Sequence, residues 1–167
     1  MATKTLQEEL QRREPFESLE QEATLSLLRT SDLLDNRIAR FLRQHDLTPS
    51  QYNVLRILGR EGRPMPCLDV AKRMVQVAAP ITRVVDQLLA QGLVSKTQAR
   101  EDHRVFLIGL TTRARSLLRK LDQPVLQLHA SLLGKVDPAD LQELIRILRE
   151  VRQQMIVSGA TRADAQL

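Results

Sequence analysis

The clearest apolar rhythm in the chain is Ile81, Val84, Val85, Leu88 and Leu89. These residues recur at i, i+3, i+4, i+7 and i+8, one stripe of an α-helix that has to lie against a core. The remaining face is small and polar: Ala78, Ala79 and Pro80, then Thr82, Arg83 and Asp86, ending at Gln91 and Gly92. Pro80 suits the first helical turn, where a missing N–H leaves no hydrogen bond unmade, and Gly92 suits the position just past the end. Such a helix presents small residues and the positive end of its dipole to whatever it approaches, which favours an anionic, grooved partner.

The flanking pattern sets this helix in a larger unit. Leu68, Val70, Ala71 and Met74 supply the apolar positions of a shorter helix, with Lys72 and Arg73 outside and a turn from Val75 to Ala78. Two short helices so joined make a helix-turn-helix, whose second helix enters a DNA major groove. Downstream, Leu93 to Lys96 and Val105 to Leu110 are β-prone runs around the polar stretch Thr97 to Arg104, which predicts a hairpin wing. Upstream, Ala23, Leu27, Leu34, Ile38 and Phe41, widened by Leu28 and Leu42, predict a long helix from about Ser18 to Gln44. Thr48-Pro49-Ser50-Gln51 reads as a capping box with proline at the first helical position, opening a helix through about Gly59. Arg60 to Pro66 is then a loop with room for a very short strand.

Past the wing, Thr111 or Thr112 caps a helix carrying Leu117, Leu118, Leu121, Val125, Leu128 and Leu132, which Pro124 should kink or break. Asp137-Pro138-Ala139-Asp140 opens a last helix with Leu141, Leu144, Ile145, Leu148, Val151 and Met155 as its stripe. Residues 1–15 read as a loose or partly helical arm, and 158–167 as a frayed tail. The three terminal helices carry more apolar surface than the central lobe needs. Left in water they would forgo several kcal/mol at about 25 cal/mol per Å², so a second copy of the chain is expected against them. A twofold dimer would also set two recognition helices about one DNA turn apart.

The order of Leu47-Thr48-Pro49-Ser50-Gln51-Tyr52-Asn53-Val54-Leu55, then Ile81 to Leu88, Gly92-Leu93-Val94, Asp102-His103-Arg104 and Leu110-Thr111, resembles the winged-helix regulators of the MarR (multiple antibiotic resistance regulator) family. The resemblance covers roughly the middle and C-terminal three quarters of the chain. It implies a mainly α fold with a small β-hairpin wing: a winged helix-turn-helix DNA-binding lobe at about 47–111, with N- and C-terminal dimerisation helices at about 18–45 and 112–157, together one domain over 16–157. It also implies a homodimeric repressor that binds a pseudo-palindromic operator and is released by a small aromatic or anionic effector. Two departures from the family pattern matter. Ala114 stands where a glycine is usual, and Ala78 and Ala79 stand where Ser or Thr is usual near the recognition helix, so base preference does not carry over.

Charge sharpens the picture. The formal net charge is +5, and between Lys96 and Lys120 seven basic residues face only Glu101 and Asp102, so that segment alone carries the whole excess. A patch this local suits a phosphate backbone, although part of it also fits a solvated helix face beginning at Arg113. The only aromatics are Phe16, Phe41, Tyr52 and Phe106, with no cluster on which bases could stack, so duplex DNA is expected rather than single strands or RNA. Gln76, Pro80, Thr82, Arg83 and Gln87 form the candidate major-groove set, with Gln76 and Gln87 read equally well as plain solvated residues. Lys96 and Arg100 are candidates for backbone contacts, and Arg63 is a weaker one. Asp102 and Arg104, two apart on an extended segment, would share a face. An aspartate there repels phosphate unless it orients Arg104, which could then enter a narrow minor groove. The other reading is an ordinary surface ion pair.

Other chemistries find little support. The single cysteine, Cys67, sits between Pro66 and Leu68 and is read as packing rather than a redox sensor. His45, His103 and His129 lie far apart, so no metal site is expected. No phosphate-binding glycine loop or nucleophile elbow is present, so no enzyme and no cofactor are expected. No apolar run reaches the length of a membrane span and no export core opens the chain, which predicts a cytoplasmic protein. The rival reading is a winged-helix protein-interaction module without specific DNA binding.

Overall fold

The structure, a computed structural model, describes residues 4–75, 80–99, 101, 102 and 104–164, with side chains described as far as Ile156. Helix α1 (Leu6–Glu9) is closed by a capping box on Thr5. Helix α2 (Leu19–Arg43) starts at the N-cap Ser18. Helix α3 (Pro49–Glu61), strand β1 (Met65–Pro66) and helix α4 (Cys67–Lys72) follow, then helix α5 (Ile81–Ala90), strands β2 (Val94–Gln98) and β3 (Phe106–Leu110), and helices α6 (Thr112–Leu133) and α7 (Pro138–Asp164). The chain divides into two compact units, Met1–Asp122 and Gln123–Leu167.

In the first unit the core is built where the apolar stripes meet. Val54, Leu55 and Leu58 of α3, Val70 of α4, Val84, Val85 and Leu88 of α5, Ile108 of β3 and Leu118 and Leu121 of α6 are all buried. The three strands form an antiparallel sheet in the order β1-β3-β2, with Met65 opposite Ile108 and the hairpin running from Val94 opposite Leu110 to Gln98 opposite Phe106. The very short strand and the wing are therefore present. In the second unit α7 opens as expected: Asp137 Oδ1 accepts the Ala139 N–H at 2.8 Å, with Pro138 at the first helical position.

Several expectations are corrected. The α3 helix runs two residues past Gly59 and ends at Gly62, whose φ of +74° is the left-handed cap that glycine adopts without strain. Leu68, expected in the α4 stripe, is 72% exposed, because so short a helix turns only Val70 fully inward. Pro124 does not end α6, which continues to Leu133. The last helix extends to Asp164 rather than fraying from Ser158. Ala114, in place of the usual glycine, lies fully buried inside α6, so the departure is accommodated by a residue that favours helix.

Candidate nucleic-acid interface

The recognition helix is held from both ends. At its front, Pro80 is the N-cap rather than the first helical residue, with ψ of 124°. Its carbonyl still accepts the Arg83 and Val84 N–H groups, at 3.0 and 3.4 Å. At its rear, the Gly92 N–H reaches Leu89 O and the Leu93 N–H reaches Leu88 O, both at 2.9 Å, around a left-handed Gly92 at φ +66°. This is a Schellman close, with Leu88 and Leu93 both buried beneath it. The chain then enters β2 at once, so the wing grows from the end of the recognition helix.

The joint is fastened from α6. Thr111 Oγ1 donates to Gly92 O at 2.9 Å and accepts the Ala114 N–H at 3.2 Å, which makes Thr111 the α6 cap as well as the clasp on the turn. Arg113 Nη1 donates to Gln91 O at 3.2 Å, placing a cation on the negative end of α5. The cap falls where the sequence puts it, but the clasp leaves no local sequence signal, because the hydroxyl grips a carbonyl 19 residues away. On the other side, Gln51 closes the α3 capping box and also donates from Nε2 to Gln87 Oε1 at 3.4 Å. Gln51 is 4% exposed, a polar residue buried in this core. Gln87, expected in the groove set, is thus turned partly towards α3.

With Val84, Val85 and Leu88 inward, about 100° per residue puts Arg83 and Asp86 near the middle of the opposite face, with Thr82 beside them. Thr82, Arg83 and Asp86 are exposed, as is Pro80. Asp86 shares this face but stands outside the candidate contact set. Gln76 and Arg100 lie outside the described residues, as do Ala78, Ala79 and His103. Lys96 is exposed on β2 and its Nζ lies 4.2 Å from the centre of the Phe106 ring, a cation–π contact that steadies the ammonium on the wing surface.

The wing tip corrects one geometric expectation. Asp102 and Arg104 sit in a turn, not on an extended strand, and Asp102 Oδ1 accepts the Arg104 backbone N–H at 2.9 Å. The Val105 N–H meets Asp102 O at 3.0 Å. Asp102 therefore shapes the backbone from which Arg104 projects, the way aspartate side chains commonly fix turns.

Two further groups complete the surroundings. Glu61, at the end of α3, takes Arg73 Nη1 of the α4 terminus at 2.7 Å and Arg63 of the loop at 2.9 Å. These bonds, Arg73 first, hold its carboxyl below the usual glutamate range. Arg63, the weaker candidate, is committed to this bridge. Burial pushes the half-buried Cys67 thiol up, with Lys96 opposing and Asp86 adding to the shift. A raised thiol is a poor nucleophile at neutral pH, in keeping with a packing role.

A model of the MarR family matches residues 47–106, the stretch from just before α3 to the first residue of β3. A MarR transcription factor of Planctomyces limnophilus, solved by crystallography, is 38% identical, with 81% of this chain and 98% of that chain covered and a TM-score of 0.62. The chain belongs to the MarR family. As a MarR-family protein it is a DNA-binding transcription regulator and not an enzyme. The homoprotocatechuate degradative operon repressor of Escherichia coli is 23% identical over 127 residues, 76% of this chain and 85% of that protein. A MarR family transcriptional regulator of Streptomyces coelicolor, solved in complex with DNA, has the same fold at 20% identity, with a TM-score of 0.75 and 86% and 92% of the two chains covered. Among the described residues no helix is long and apolar enough to cross a membrane.

Proposed function

We propose that this MarR protein is a repressor that binds a pseudo-palindromic operator as a homodimer, through the α5 face and the wing, and that a small aromatic or anionic effector releases it. The observation that carries the reading is the joint at Gly92, where the end of the recognition helix, the entry to the wing and the start of α6 are hydrogen-bonded together, so that helix and wing stand side by side. In this reading Thr82 and Arg83 meet base edges and phosphates in the major groove, with Gln76 and Gln87 flanking. Lys96 and Arg100 take backbone phosphates. Arg104 enters the minor groove from the turn that Asp102 shapes.

Dimerisation through the N- and C-terminal helices, at about 18–45 and 112–157, is supported by the apolar side chains that these helices leave in water, including Leu28, Leu126, Leu144 and Ile145. The bound state of an effector would have to favour a dimer whose recognition helices are mis-spaced for DNA.

The test is duplex binding by the wild type and Arg104→Ala across about 50 to 200 mM salt. Arg104→Ala is expected to weaken binding by about tenfold or more, a decade being about 1.4 kcal/mol. Wild-type affinity should fall steeply with salt as counterions are released. Unchanged affinity in the variant, together with a flat salt response, would exclude this mode of binding.

A further inference from the structure

The hairpin carries a pair of side chains whose joint placement goes beyond the contacts assigned so far. Val94 stands opposite Leu110, Lys96 opposite Ile108 and Gln98 opposite Phe106. Residues that face each other across an antiparallel pair, and those two apart on one strand, leave the same side of the sheet. Val94, Ile108 and Leu110 are buried, so this is the side turned to the core. Lys96 and Phe106 continue it outward past the edge of the core, where Lys96 is exposed and Phe106 is 40% exposed. The Cys67 thiol, at the start of α4, feels the charges of both Lys96 on β2 and Asp86 on α5. Lys96 therefore looks into the angle between recognition helix and wing, not away from it.

That angle has a definite meaning on a duplex. A recognition helix in the major groove and a wing in the adjacent minor groove straddle the sugar–phosphate strand that separates the two. The strand has to cross the corner that Lys96 occupies. Lys96 makes no ion pair among the described residues, although Asp86 faces the same corner.

What holds the ammonium there is a ring. Lys96 Nζ lies 4.2 Å from the centre of the Phe106 ring, and the two residues are diagonal neighbours across the ladder, within reach for long side chains. An ammonium seated on an aromatic face turns one side to the ring and keeps N–H groups on the other for an anion. A lysine without such a seat spreads its charge over many rotamers of a flexible four-carbon stem, and only the fraction aimed at the strand is ready to bind. The ring raises that fraction. We propose that Phe106 is a positioning residue for DNA binding, its ring aiming the Lys96 ammonium at the phosphate strand between the two grooves. The inference rests on the reading of Lys96 as a backbone contact.

The test is a double-mutant cycle on duplex affinity across about 50 to 200 mM salt, using the pool of duplexes that the wild type retains from a random library. Lys96→Gln is expected to weaken binding and to lower the log–log salt slope by about one. Phe106→Leu, which keeps an apolar side chain without a ring face, is expected to weaken binding by about two- to fivefold when Lys96 is present. With Lys96→Gln already in place, the same change should cost less than about 1.5-fold. Phe106→Tyr should keep the wild-type affinity, because it keeps a ring face. Equal losses from Phe106→Leu in both backgrounds would make the ring a direct contact or a packing element and overturn the inference, leaving Lys96 on the backbone. No loss in either background would overturn it too. An unchanged affinity and salt slope in Lys96→Gln would remove the backbone reading, and the inference with it.

Discussion

Gln51 shows how much one side chain settles at this interface. As part of a Thr-Pro-Ser-Gln capping box it was readable from four adjacent letters, yet its second bond, to Gln87, joins helices 36 residues apart and was not. The same division runs through the other residues. Val84, Val85 and Leu88 followed directly from their spacing. The Asp102 turn did not, because two residues with the same separation share a face on a strand and not in a turn. Glu61 was invisible for a similar reason, its partners lying in a loop and on the next helix. Its carboxyl is held below its ordinary value of 4.5, so its ion pairs stabilise the fold fully above that pH and are lost as the pH falls through the lower native value. Glu61→Gln should therefore lower the unfolding temperature near pH 7, with the gap to wild type closing below about pH 4.5. Thermal melts across that range check this, and a gap constant with pH would contradict it.

At the scale of elements, helices announced themselves through their ends. Thr48, Thr111 and Asp137 each cap where the sequence places them, because capping depends on neighbours within four positions. Helix lengths were less legible. Nothing local marks Asp164 as the end of α7, and a proline inside α6 costs one backbone bond without forcing the chain out of the helix. The end of α5 is the element boundary on which the interface depends. At Gly92 nothing lies within 4 Å of an added Cβ, so substitution there is penalised by φ alone. Gly92→Ala should cost about 1 to 2 kcal/mol in urea unfolding with an unchanged m-value. Gly92→Asn should cost less, since asparagine enters the left-handed region more readily. Equal stability of all three proteins would mean that the turn does not need its observed conformation.

For the whole molecule, the pattern of exposed apolar residues gives the strongest expectation. Helix α7 leaves Ile145 57% exposed, with Leu144 and Met155 also in water, more than a lone helix face needs to show. If these residues meet a second copy, the wild type sediments as a dimer and Ile145→Glu as a monomer, because a carboxylate at an apolar interface is left without a partner. A monomeric wild type would contradict the dimer. The winged-helix lobe was legible because its signals are local and consecutive. Assembly is legible only from surface left over, the apolar side chains that α7 leaves in water.

The most direct measurement is selection of bound duplexes by the purified protein from a random library of about 30 base pairs, followed by sequencing. The account predicts an enriched inverted repeat with half-sites centred about 10 base pairs apart, one for each recognition helix of a twofold dimer. Recovery of duplexes without any enriched sequence, or of a single unrepeated half-site, would contradict it.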